Sequence, residues 1–152
     1  MREAAESDAA VIVNDRPDLA RLSGAAGVHL GQGDVSPRDA RALVGADAIV
    51  GFSTHTAAQV EAAAGEPVSY LAIGPVFGTA TKATGYDAVG LELVRTAVGH
   101  ARGLPVVAIG GITLDRAPGA IAAGASAVAV ISDLLVDRDP SRRVAAYLRA
   151  LM

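Results

Sequence analysis

The chain carries twelve arginines but a single lysine, Lys82, which stands in GPVFGTATKATG (74–85) beside Thr79, Thr81 and Thr84. A lone ammonium among hydroxyls and loop amides is a set of donors for an anion, phosphate above all. Asp15 and Asp34, each just past an apolar run, are the hard oxygen ligands that Mg²⁺ takes alongside phosphate oxygens. Asn14 and Ser53 occupy comparable positions after their own apolar runs. Gly110-Gly111, ahead of a helix expected to open at Thr113, offers backbone N–H groups to a second anion. Ile131 and Ser132 do the same after the last apolar run. The chemistry these residues would serve is a magnesium diphosphate at one end and a monophosphate at the other.

Each group also has a plainer reading. Asp15, before Arg16-Pro17, fits a helix cap, and Asp34 fits a brace for the turn before Ser36-Pro37. A Gly-Gly after a strand is a tight turn in its own right. His29 lies within an apolar run and reads as a packed histidine, and His100 as a solvated or dipole-facing residue at a helix end. His55 is expected to point into the site, while Phe52, Tyr70 and Phe77 read as core.

These residues would be positioned by a repeating pattern. Apolar, β-branched runs at 11–14, 27–30, 48–51, 69–73, 105–109 and 127–131 each precede a helix-like segment, near 17–23, 36–44, 56–64, 89–102, 113–123 and 140–151. Ser36-Pro37 and Asp139-Pro140 set a cap residue before a helix-initiating proline. Continuous apolar strands alternating with helices indicate a parallel sheet covered on both faces. In such folds ligands bind at the C-terminal strand edge, where all the candidate residues fall. The unit holding Lys82 has a loop of about 15 residues, a length that usually marks function or disorder.

With 152 residues and no cysteine, the chain reads as one domain without a disulfide scaffold or thiolate metal site, as suits a reducing cytoplasm. Aromatics make up only 3% of residues, so the core must be built from Ala, Val, Ile and Leu. A net charge of -3 provides no basic surface for nucleic acid, and no apolar run approaches the roughly 20 residues of a membrane span.

The segments VIVNDRPDLA, GVHLGQGD, GFSTHT, YLAIGPVFGTATK, VVAIGGIT and AVAVISDL, in this order, resemble thiamine-phosphate synthase and its close relatives, the thiazole tautomerase group. The combination of GVHLGQ-x-D with GPVF-x-T-x-TK is the most specific part. The resemblance implies a (βα)₈ TIM barrel that joins hydroxymethylpyrimidine diphosphate to thiazole phosphate. It further implies that diphosphate leaves first and that the thiazole nitrogen captures the pyrimidine-methyl cation. It implies that Asp15 and Asp34 hold Mg²⁺, with Asn14, Ser53 and Lys82 on the diphosphate. Thr79, Thr81, Gly111, Ile131 and Ser132 would hold the thiazole phosphate, with Lys82 and Ser53 acting in catalysis. Retention of both acidic positions and of T-x-TK favours the synthase over the tautomerase.

The chain departs from that pattern at its start. A barrel of this class takes roughly 200 residues or more, and six βα units are present here. The family's opening strand, helix and second strand, ending in Q-L-R-x-K, have no match in residues 1–10. Residues 1–152 are therefore expected to form a single, partial barrel domain lacking its first two strands. A start assigned too late, a partner chain or second copy that completes the barrel, and a decayed remnant all remain open. A non-catalytic phosphate-ligand binder or a tautomerase-like protein is the alternative to the synthase.

Overall fold

In a computed structural model, which describes residues 6–78 and 85–152, six parallel strands lie side by side in sequence order and form a half-barrel. The strands are β1 (Ile12–Asn14), β2 (Gly27–Leu30), β3 (Ile49–Thr54), β4 (Tyr70–Ile73), β5 (Val106–Ile109) and β6 (Ala127–Ala129). The helices are α1 (Pro17–Ser23), α2 (Pro37–Val44), α3 (Ala57–Ala63), α4 (Gly90–His100), α5 (Ala117–Ala122) and α6 (Pro140–Leu151), with a 3₁₀ turn at Ser132–Leu135.

The helix starts follow from local chemistry. Ser36 Oγ accepts from the Asp39 amide, Thr56 Oγ1 from the Gln59 amide and Asp139 Oδ1 from the Arg142 amide, each satisfying an otherwise orphaned helix donor. Proline follows the cap at positions 37 and 140, where its missing N–H costs nothing. The helix expected from Thr113 begins instead at Ala117, because Pro118 is tolerated only in a first turn.

Alternation along the strands separates two faces. Val28, Leu30, Val50, Leu71, Ile73, Val106 and Ala108, all 0–2% exposed, pack under the helices. The opposite face, expected to be covered as well, is only partly buried. It carries Asn14, His29, Gly51, Ser53, Tyr70, Ala72, Val107 and Ile109, aligned by the register Asn14↔His29↔Gly51↔Tyr70 and Ser53↔Ala72↔Val107. Strand β3 runs three residues further than the expected end at 51. Thr54 is fully buried and its hydroxyl donates to the Ala72 carbonyl at 2.9 Å, so a polar residue continues the strand without an unsatisfied group. Ser53 therefore sits on the strand itself rather than in a loop. Strand β6 stops at Ala129, and the chain turns into the 3₁₀ segment at Ile131.

At the N-terminal edge of the sheet, Arg41 ties the connections together. Its guanidinium donates to the carbonyls of Pro67, Gly45, Ala46 and Ala48 and to Ser69 Oγ. Among the described residues no helix is long and apolar enough to cross a membrane.

Candidate active site

The C-terminal strand edge gathers the expected site residues on neighbouring elements. Asp15 follows β1 with φ +62°, a left-handed backbone that non-glycine residues seldom adopt. Its amide donates to the His29 carbonyl at 2.8 Å, which extends the β1–β2 ladder by one residue. The N-cap position of α1 is Arg16 rather than Asp15, and it makes no side-chain cap bond. Asp34 does brace its turn, with Oδ2 accepting from the Gly31 amide at 2.7 Å. The two carboxylates thus follow adjacent, paired strands. Among the described residues no group of three or more histidine, aspartate or glutamate side chains converges. A pair of hard carboxylates still fits Mg²⁺, which takes one or two of them and completes its shell with phosphate and water.

Ser53 is held from two directions. Gln32 Nε2 donates to its carbonyl at 2.6 Å, and its Oγ lies 2.8 Å from His29 Nε2. The other ring nitrogen, Nδ1, lies 2.9 Å from the Tyr70 hydroxyl. The packed-histidine reading of His29 and the core reading of Tyr70 give way to a hydrogen-bonded chain across three strands. Burial holds the Tyr70 phenol above its ordinary range, so it remains an O–H. The sequence held a signal for this chain in Gly51, the small residue that lets the two rings meet. A Cβ there would lie 2.2 Å from Tyr70 Cζ and 2.5 Å from His29 Nδ1.

His55 does not project into open ligand space. Its Nδ1 faces the Gly74 carbonyl at 2.5 Å and must donate to it, and its ring stacks on Tyr86 with centroids 3.8 Å apart. It therefore links the two ends of the segment that holds the lysine. Lys82, Thr79 and Thr81, with Thr84, lie outside the described residues.

Gly110 and Gly111, the residues expected to offer amides to a second anion, have φ +94° and +62°. The pair is a tight turn packed against the chain after β4. A Cβ on Gly110 would fall 2.6 Å from Pro75 Cα, and one on Gly111 would fall 2.5 Å from the Gly78 carbonyl oxygen. The expected helix amides are not directly behind it, since α5 starts at Ala117. Instead Arg116 reaches back, donating to the Gly111 carbonyl at 3.0 Å with its guanidinium 4.9 Å from the centre of the Phe77 ring. Sequence reasoning passed over Arg116, because its link to Gly111 depends on the turn at 113–116. Gly110→Ala is expected to lower the thermal midpoint by about 5 °C through strain and the Pro75 clash. A calorimetric scan checks this.

Ile131 is 58% exposed at the start of the 3₁₀ turn, with Ser132 exposed beside it. Asp133, which follows the same apolar run as Ser132, turns away from this edge. It is 7% exposed, chelated by Arg143 Nε and Nη2 at 3.0 and 2.8 Å, and accepts from the Tyr147 hydroxyl at 2.5 Å. Its role is to anchor α6.

Comparison with known proteins agrees with this geometry. The family model described as thiamine monophosphate synthase matches residues 1–134. A thiamine-phosphate synthase of Koribacter versatilis is 45% identical over 151 residues, covering 99% of this chain and 70% of that protein. One from a Synechococcus strain is 48% identical over 136 residues, or 90% of this chain, which spans 38% of that relative's length. Among solved structures, thiamine phosphate pyrophosphorylase from Pyrococcus furiosus superposes with a TM-score of 0.89 at 31% identity, covering 99% of this chain and 71% of that one. With the paired carboxylates, the pinned serine and the glycine turn all on the strand edge that such a fold uses for ligands, the chain belongs to the thiamine monophosphate synthase family.

Proposed function

We propose that this chain forms the diphosphate- and phosphate-binding part of a thiamine-phosphate synthase, a cytoplasmic transferase. It would join hydroxymethylpyrimidine diphosphate and thiazole phosphate to give thiamine phosphate and diphosphate. The observation that carries this reading is the line-up of Asp15, Asp34 and Ser53 at the same strand edge as the Gly110-Gly111 turn. In the reaction the methylene C–O bond breaks, its electron pair leaves with the diphosphate, and the thiazole nitrogen lone pair forms the new C–N bond. Such an ionisation needs leaving-group charge neutralised and a fixed geometry, rather than a protein nucleophile.

Asp15 and Asp34 would hold Mg²⁺, which when bound would neutralise diphosphate charge. Asn14 and Ser53 would orient the diphosphate, and Lys82 would place a cation on it as its negative charge grows. Thr79, Thr81, Gly111, Ile131 and Ser132 would hold the thiazole phosphate, keeping the nucleophilic nitrogen close to the methylene carbon.

Residues 1–152 would constitute a single, partial domain of a (βα)₈ barrel whose first two strands are supplied by a further segment or by another copy. Two features support this. The outer sides of β1 and β6 pair with no other strand among the described residues, and the groove beside β6 is lined by Val128, Val130, Leu134, Val144, Leu148 and Leu151. An open sheet edge beside an apolar groove is a surface that a chain normally covers.

Calorimetry with each ligand separately tests the reading. Hydroxymethylpyrimidine diphosphate should bind only with Mg²⁺ present, and thiazole phosphate should bind without it. Binding of thiazole phosphate alone, under all conditions, would favour a non-catalytic phosphate binder. The absence of Q-L-R-x-K from residues 1–10 is what keeps that second reading in view.

A further inference from the structure

The hydrogen-bonded chain from Tyr70 through His29 to Ser53 spans β4, β2 and β3, with Gly51 on the middle strand providing the gap through which it passes. A neutral imidazole carries one N–H, so its two hydrogen bonds are coupled: if Nδ1 accepts, Nε2 donates. A phenol is a far stronger acid than a neutral imidazole N–H, so the Tyr70 hydroxyl is the donor to Nδ1. Nε2–H then donates to Ser53 Oγ, 2.8 Å away. With that lone pair engaged, the serine proton must point elsewhere. The Ser53 backbone cannot swing to compensate, because Gln32 fixes its carbonyl.

We propose that Tyr70 is a positioning residue that acts through His29, fixing the imidazole tautomer so that the Ser53 hydroxyl faces the ligand as a hydrogen-bond donor. The ligand atom this suits is an acceptor, a diphosphate oxygen, and the proposal rests on the reading above that Ser53 faces the diphosphate. Phenylalanine at position 70 keeps the ring, and with it the stacking on His29, whose centroid lies 5.6 Å away. It removes only the donor. Loss of that donor admits the Nδ1-protonated tautomer of His29, in which Ser53 is no longer restricted to donating.

The test combines one measurement without ligand and one with it. Long-range ¹H–¹⁵N correlation spectra of the parent at neutral pH should show His29 with Nδ1 unprotonated and Nε2 protonated. In Tyr70→Phe the Nδ1-protonated form should appear. Inorganic diphosphate with Mg²⁺ should bind Tyr70→Phe about 5- to 10-fold more weakly than the parent, the worth of one hydrogen bond to a charged acceptor. In a Ser53→Ala background Tyr70→Phe should add nothing, since its effect passes through that hydroxyl. A parent already protonated at Nδ1, or an unchanged tautomer in Tyr70→Phe, overturns the proposal, as does equal diphosphate affinity of parent and Tyr70→Phe. A parent that binds no diphosphate instead overturns the diphosphate assignment of the site, whatever the tautomer.

Discussion

Asp34→Asn is expected to reduce magnesium-dependent thiamine phosphate formation by about 100-fold or more while leaving the fold intact. Asparagine retains an oxygen at the position of Oδ2, so the 2.7 Å bond from the Gly31 amide that closes the turn can persist. What disappears is one of the two negative charges that would hold the cation. A site left with Asp15 alone should bind Mg²⁺ more weakly, so raising the metal concentration should restore part of the rate. Asp34→Ala should lose the rate and the turn brace together, which separates charge from structure. Steady-state rates over a magnesium titration, with circular dichroism as the control, check both. Parent-like activity in Asp34→Asn at limiting metal would contradict the metal-ligand role.

The second large effect concerns stability. Asp133→Asn is expected to lower the thermal midpoint by on the order of 10 °C. The carboxylate is buried, and its loss leaves the Arg143 guanidinium and the Tyr147 hydroxyl beside an amide that cannot accept from both as an anion does. Burial pushes the Asp133 carboxyl upward, but the hydrogen bonds from Tyr147 and Arg143 outweigh it and hold the group below its ordinary range. A carboxylate whose folded pKa is depressed stabilises the protein above its unfolded value, about 3.9, and loses that contribution as pH falls through the folded value. The gap in thermal midpoint between parent and Asp133→Asn should therefore be constant from about pH 5 to 8 and narrow below about pH 4. A gap that widens on acidification would contradict the ion-pair account. Tyr147→Phe should produce a smaller drop, since Arg143 still pairs with the carboxylate in its absence.

Much of the fold was legible because its signals are local. Ser36-Pro37 and Asp139-Pro140 encode helix starts within two residues, and helices begin at Pro37 and Pro140. The apolar runs mark all six strands because a parallel strand covered by helices must be nearly continuous in hydrophobicity. The misreadings came from interactions with distant partners. Thr54 looks like a loop residue until the Ala72 carbonyl, 18 positions on, is found to accept its proton. Asp133 follows an apolar run just as Asp15 does, and only the packing of α6 shows that one faces inward to an arginine and the other ends a strand at the ligand edge. His29 and Tyr70 are separated by 41 positions, and their meeting requires the register that sets Gly51 between them. The metal and phosphate readings of Asp15, Asp34, Gly111 and Ser132 begin from residue type and strand-end position and are sharpened by resemblance; the ligands they concern leave no local signal in the chain.

The most direct measurement is product formation. Hydroxymethylpyrimidine diphosphate, thiazole phosphate and Mg²⁺ are incubated with the chain, alone and extended by the two strands proposed to complete its barrel, and thiamine phosphate and diphosphate are quantified by chromatography. Equal amounts of the two products are expected from the extended chain, with none when Mg²⁺ is chelated. A folded, extended chain that binds both substrates yet forms no thiamine phosphate would contradict the proposed activity.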